Sequence, residues 1–97
     1  MLSLRHRKHV PKQPSTHPLA MTQAVTIELE YDAAAKSFVT FARELDRIST
    51  FGQTEAEALD NTAEMIRAYI QAMQANRLRI PLTAAKLAEL ERVVGLP

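Results

Sequence analysis

The sequence predicts an α+β domain with the element order β-β-β-α-β and a short C-terminal helix, and three features support this. Residues 25–51 hold three short runs with strand-like patterns, residues 55–76 hold one long amphipathic helix, and a proline-bounded segment follows. Strands joined by short links usually pair in sequence order. We therefore expect a three-stranded antiparallel meander, covered on one face by the long helix, with a short fourth strand beside it.

The first strand is predicted from strict alternation of apolar and polar side chains. Its apolar positions are Val25, Ile27, Leu29 and Tyr31, and its polar positions are Thr26, Glu28 and Glu30. This period of two is typical of a strand with one face on a core and one face in water. Asp32 then begins a turn, because its carboxylate can accept hydrogen bonds from backbone N–H groups two residues on. The second strand spans 37–42 and the third spans 47–51.

The long helix is predicted to begin with a capping box. The hydroxyl of Thr54 can accept the N–H of Glu57, and the Glu57 carboxylate can reach back to the N–H of Thr54. Gly52 breaks the preceding strand. The helix then presents one apolar face with i, i+3, i+4, i+7 spacing, made of Leu59, Thr62, Ala63, Ile66, Tyr69, Ile70 and Met73. We expect this face to lie on the sheet.

The segment after the helix predicts a short edge strand and a last helix. Residues 77–80 alternate charged and apolar side chains and end at Pro81, which is typical of an edge strand guarded by outward arginines. Thr83 can cap a helix that runs from Ala84 to Val94 and stops at Gly95. The predicted organisation is a basic disordered tail over 1–20, a main domain over 21–82 and a C-terminal helix over 83–97.

Composition and charge limit the kinds of protein to which this chain can belong. The 97 residues suit one domain, and the absence of cysteine excludes disulfides, thiolate catalysis and zinc–sulfur sites. Residues 1–20 carry four basic and no acidic side chains, a net charge of +4, whereas the remainder carries eight basic and eleven acidic ones, a net charge of −3. No apolar run suits a membrane helix or a signal peptide, so we expect a soluble cytoplasmic protein. Met21 is an alternative translation start.

The residues that could perform chemistry do not form a convincing catalytic or metal site. All three histidines lie in the first 20 residues, so the expected folded part lacks the commonest general base. His6 and His9 have metal-ligand spacing but are flanked by cationic side chains. Glu28 and Glu30 could form a carboxylate cluster with Glu64, although alternating acids on a strand are more often simply solvated. We expect no catalysis, no metal and no cofactor.

A family resemblance covers about residues 24–82. Its motif consists of Gly52, Thr54, Glu57, Ala58, Glu64, Met65, Ile66, Ile80 and Pro81. With this motif, and with Tyr31, Phe38 and Phe41 in the first hairpin, the chain resembles the HicB family of type II antitoxins. The family's Pro-x-Leu-Pro-Gly-Cys loop is replaced here by residues 43–48, which keep its leucine as Leu45.

This resemblance implies a partial RNase H-like fold without nuclease activity that binds a small, basic, HicA-like ribonuclease toxin and masks its active surface. The acidic balance outside the tail suits a basic partner. From charge and expected exposure, we predict partner contacts on the sheet face away from the helix and in nearby loops, at Glu28, Glu30, Glu44 and Asp46.

The sequence also leads to expectations about self-association and about binding to operator DNA. A small domain often associates, and we expect a homodimer through sheet edges or through the apolar stripe of Leu87, Leu90 and Val94. Longer family members add a DNA-binding domain, for which residues 82–97 are too short, so direct DNA binding is not expected. Two alternatives stay open. One is a nucleic-acid-binding accessory protein that uses the basic tail, and the other is an orphan oligomeric interaction domain.

Overall fold

The computed structural model describes residues 16–97 and has the predicted α+β class. Its elements are α1 (Pro18–Met21), β1 (Ile27–Asp32), β2 (Ser37–Ala42), β3 (Ile48–Gly52), α2 (Glu55–Ala75) and α3 (Ala84–Val93). The three strands form one antiparallel sheet in the order β1-β2-β3. The predicted meander, long helix and short C-terminal helix are therefore confirmed.

The two faces of the sheet differ because side chains alternate along each strand. The inner face, which packs against α2, includes Ile27 and Leu29 of β1 and Thr40 of β2, all with no solvent exposure. Asp32 ends β1 as predicted, because its Oδ1 accepts the N–H groups of Ala34 at 3.0 Å and Ala35 at 3.1 Å. This turn fixes the pairing of β1 with β2.

Helix α2 begins at the predicted cap. Thr54 Oγ1 accepts the N–H of Glu57 at 3.0 Å, whereas the Glu57 carboxylate accepts the N–H of Gln53 instead of that of Thr54. The predicted apolar face is buried at its central positions, which are Leu59, Thr62, Ile66 and Ile70. One polar pair joins helix to sheet, since the hydroxyls of Thr40 and Thr62 lie 2.6 Å apart. The buried hydroxyls are thus satisfied where the two layers meet.

Gly52 lies where the first turns of α2 come close to the sheet. A Cβ atom at this position would lie 2.4 Å from the backbone nitrogen of Ala58 and 2.8 Å from its Cα. Backbone atoms cannot move aside as a flexible side chain can. The glycine that breaks the strand in the sequence pattern therefore also provides the space for the first turn of the helix.

The core extends beyond the sheet and α2 to both ends of the described chain. Leu19 of α1 and Leu90 of α3 have no solvent exposure, and both join the cluster that contains Ile66 and Ile70. The predicted disordered tail is consequently wrong for residues 16–20, which include the first three residues of α1, and the rest of the predicted tail lies outside the described residues. Helix α3 shares this core and is not a separate unit.

The predicted fourth strand over Arg77–Ile80 is absent, since residues 16–97 form three strands. Arg77 takes a left-handed conformation with φ of 56°, and the N–H of Leu78 returns to the carbonyl of Met73 at 2.8 Å. These features terminate a helix and prevent the segment from extending directly into a strand. Ile80 is buried at 8% exposure, so its apolar character serves the core.

Helix α1 provides the first test of this fold. We expect Leu19→Ala to lower the free energy of unfolding by about 2–4 kcal/mol, because it leaves a cavity in the shared core. Met21→Ala is the matched control, because Met21 lies in the same helix but is 71% exposed, and we expect a change below about 0.5 kcal/mol. Urea unfolding of the full chain measures both. Equal effects of the two substitutions would contradict the docking of α1.

The contact at Gly52 provides the second test. We expect Gly52→Ala to lower the free energy of unfolding by at least about 1–3 kcal/mol, because the added methyl group collides with backbone. Ser49→Ala, at an exposed position of the same strand, is expected to change it by less than about 0.5 kcal/mol. A Gly52→Ala variant as stable as wild type in urea unfolding would show that α2 does not approach β3 this closely.

Candidate functional site

The face of the sheet that points away from α2, called here the outer face, is the candidate site. Strand alternation and pairing place on it Glu28, Glu30, Asp32, Ser37, Val39, Phe41, Ser49 and Phe51. The register arranges these residues in rows across the sheet, with Glu28 beside Phe41 and Ser49, and Glu30 beside Val39 and Phe51. Phe51 is 65% exposed, which is unusual for a large aromatic side chain in a strand.

Glu28 is not the solvated acid that the sequence pattern suggested. It is 2% exposed, and its two carboxylate oxygens accept from Arg43 at 2.7 Å and from Arg47 at 3.1 Å. The hydrogen bond and the charge of Glu28 raise the pKa of Arg43 above its ordinary value. Arg47 also lies over the ring of Phe41, 4.8 Å from its centroid. The expectation of exposure at Glu28 is therefore wrong, and two arginines from the loop between β2 and β3 pair with its carboxylate.

Glu44 holds the start of β1 against the loop between β2 and β3. Its Oε1 accepts the N–H of Thr26 at 2.8 Å, and its Oε2 accepts the Thr26 hydroxyl at 2.9 Å. The neighbouring Leu45 has no solvent exposure. The Glu44 carboxylate is therefore already engaged within the chain.

Asp46 lies in a tight turn and contacts the long helix. Asp46 and Arg47 have positive φ values of 58° and 52°, and the N–H of Ile48 donates to the carbonyl of Leu45 at 3.1 Å. Positive φ at both central residues is characteristic of a type I′ turn. Asp46 Oδ2 accepts the hydroxyl of Tyr69 at 2.9 Å. Burial, together with this bond, raises the pKa of Tyr69.

Glu28, Glu44 and Asp46 thus lie near one end of the sheet and its loop, whereas Glu30 lies in the middle row of the outer face. The four residues do not form an open acidic surface. Glu30 is half-buried on the outer face and Asp46 is exposed. Sequence reasoning missed Arg43 and Arg47. They lie on either side of Leu45, and nothing in the sequence around them indicates that both contact Glu28. Whether any of the four acids contacts a partner stays a prediction.

A shallow concavity lies at the other end of the outer face. Its volume is about 300 Å³, and Val39 and Phe51 form its apolar wall. Asp32, Ser37 and Ser49 contribute polar groups to its rim. This combination of an exposed ring, a small hollow and a carboxylate was not evident from the sequence.

Potential metal ligands are dispersed within residues 16–97. There, no three histidine or acidic side chains come together as metal ligands. The pair His6 and His9 lies outside this range. No helix in the described part is long and apolar enough to cross a membrane. Comparisons with protein-family models, with curated proteins and with solved structures each gave no match.

A further acid, Glu89, has a structural role that the sequence did not reveal. Its Oε2 accepts the hydroxyl of Thr22 and the N–H of Gln23 at 3.3 Å, which ties α3 to the segment before β1. The hydrogen bond from Thr22, and then that from Gln23, lower the pKa of Glu89 below its ordinary 4.5. The carboxylate form is thus favoured in the folded state.

Glu28→Gln tests the buried ion cluster. We expect a loss of about 1–3 kcal/mol in the free energy of unfolding, at the low end of the range for buried pairs because both arginines are half exposed. Glu64→Gln, on the exposed surface of α2, removes the same charge and is expected to cost below about 0.5 kcal/mol. Chemical unfolding compares the two variants. If they lost equal stability, the cluster would have no special role.

Glu89 predicts a pH dependence of stability. Its pKa is lower in the folded state than in the unfolded state, so its stabilisation is present above about pH 4.5 and is lost as the pH falls through the folded-state value. Glu89→Gln keeps an acceptor oxygen but cannot titrate. We expect this variant to lose less stability than wild type between pH 5 and the acid limit, on the order of pH 2 to 3, in urea unfolding. Parallel pH profiles would contradict the prediction.

Proposed function

We propose that this chain is a non-catalytic, HicB-like antitoxin that binds and neutralises a small basic ribonuclease toxin through the outer face. The observation that carries the proposal is Phe51, which exposes 65% of its surface on this face, beside the half-buried Val39 and Phe41. Exposed aromatic side chains are frequent anchors of protein interfaces. The order β1-β2-β3-α2 is part of the arrangement that the HicB resemblance implies, whereas the strand expected before Pro81 is absent from residues 16–97.

The proposed docking mode differs from the charge-based contacts expected from the sequence. Glu28 is neutralised by two arginines and Glu44 is engaged by Thr26, so neither can supply a strong acidic field. In the proposed complex, Phe51 and Val39 form the apolar centre of the interface. Glu30 and Asp32 lie toward its rim, where charge guides a basic partner and sets its orientation.

Inhibition by docking needs a rigid surface and no chemistry of its own. The strands that present the outer face are fixed from behind by α2 and by the Thr40–Thr62 pair. The ion cluster at Glu28 further fixes the loop at one end of the face. A preformed surface loses less conformational entropy on binding than a flexible one, which favours a stable stoichiometric complex.

The test combines capture of the partner with one matched pair of variants. Tagged full-length chain is isolated from its native cells, and co-purifying proteins are identified by mass spectrometry and assayed for toxicity. Phe51→Asp places a charge at the proposed centre. Leu78→Asp is the control, because Leu78 is also a large, 57% exposed apolar residue but lies beyond the end of α2.

We expect wild type and Leu78→Asp to retain one small basic protein near 1:1 and to suppress its toxicity, whereas Phe51→Asp binds it at least about ten-fold more weakly. Circular dichroism verifies that both variants are folded. Recovery of the chain alone would favour the orphan oligomer and contradict the antitoxin proposal. Recovery of RNase-sensitive mixtures would favour the nucleic-acid alternative.

A further inference from the structure

We propose that the concavity beside Phe51 receives a lysine or arginine side chain of a basic partner protein, with its cationic head at Asp32. This proposal rests on the proposed function for the identity of the partner, but the site itself can be tested without it. The occupant is defined by its chemistry, an aliphatic stem that ends in a positive charge.

The size of the concavity favours a side chain as its occupant. Its volume of about 300 Å³ is at the lower limit for pockets that hold small molecules, and it is open to solvent on the outer face. Val39 and Phe51 form an apolar wall suited to the methylene groups of a long side chain. The hydroxyls of Ser37 and Ser49 supply hydrogen-bond acceptors near the rim.

The carboxylate of Asp32, which lines the concavity, favours a cation there. Asp32 contributes a carboxylate whose Oδ1 is held by the N–H groups of Ala34 and Ala35, and neither bond uses Oδ2. Glu30 lies two residues away on the same face of β1. Lys36, in the same turn, supplies one positive charge. The arginines lie at the opposite end of the face, over Glu28.

The outer face already contains one long cationic side chain packed on an aromatic ring. In the neighbouring row of the outer face, the guanidinium of Arg47 lies over Phe41 at 4.8 Å from the ring centroid. Such a contact combines attraction to the ring with coverage of apolar surface. Phe51 is the next aromatic residue across this face and remains 65% exposed. A cationic side chain from a partner would cover Phe51 as Arg47 covers Phe41.

The probe for this site is acetyl-hexaarginine amide, and the neutral control is the citrulline peptide of the same length. Each peptide is titrated into the ¹⁵N-labelled full chain and followed by NMR. Asp32→Asn removes the charge while its amide oxygen can still accept from Ala34 and Ala35. Glu64→Gln removes one acidic charge from the exposed surface of α2, so it controls for overall charge.

We expect the arginine peptide to shift the amide signals of Asp32, Ser37 and Phe51, and the citrulline peptide to shift them far less. Asp32→Asn should weaken binding about ten-fold, the effect typical of one charge-assisted contact, whereas Glu64→Gln should change it by less than about two-fold. Phe51→Ala should weaken binding while Asp32 remains in place.

Three results would overturn the proposal. They are the absence of peptide binding, shifts confined to the acidic surface of α2, and equal effects of Asp32→Asn and Glu64→Gln. Tighter binding of decauridine RNA than of the peptide at the same amides would assign the face to nucleic acid instead. Peptide binding that depends on Asp32, together with failure to capture a toxin from cells, would contradict the proposed function and leave this site standing.

Discussion

The close approach of α2 to Gly52 is the constraint on which the rest of the structure depends. The sheet ends and the helix begins within three residues, and the space that a Cβ atom would fill is occupied by the backbone of Ala58. The helix is therefore directed back across the inner face, where Thr62 meets Thr40. Because one face is covered in this way, the apolar residues of the other face, Phe51 above all, remain available to another molecule.

Local sequence patterns correctly predicted the elements that depend mainly on interactions between residues close in sequence. The cap at Thr54 and the apolar stripe through Ile66 follow from the period of a helix, and both are present as expected. The prediction of a fourth strand was wrong, because a strand forms only when it can pair with the edge of another strand. A four-residue alternation of charged and apolar side chains does not reveal whether such an edge lies nearby. In the structure, Arg77 instead lies just after the end of α2 in a left-handed conformation, and Ile80 is buried in the core.

The candidate site was harder to predict because its chemistry comes from separated parts of the chain. Alternation placed Glu28 correctly on the face away from α2, but exposure depends on what returns to cover that face. Arg43 and Arg47 follow Glu28 by 15 and 19 residues and donate hydrogen bonds to its carboxylate, which is buried. Phe51 is the opposite case, because an aromatic residue at the end of a strand is normally expected to be buried in a core, yet Phe51 is exposed. Only the register of β3 shows that its ring lies on the open face.

The distribution of burial changes the argument about association. The stripe of Leu87, Leu90 and Val94 was one of two surfaces expected for a homodimer, the other being the sheet edges, yet Leu90 and Val94 are buried within the chain itself. Helix α1 adds Leu19 to the same core. Within residues 16–97, the large apolar side chains that remain exposed are Met21, Phe51 and Leu78. Of these, Phe51 alone lies on a sheet face beside other apolar side chains and a concavity. Leu90 and Val94 are thus already covered, so we propose the outer face for association, while a homodimer through the sheet edges stays a prediction.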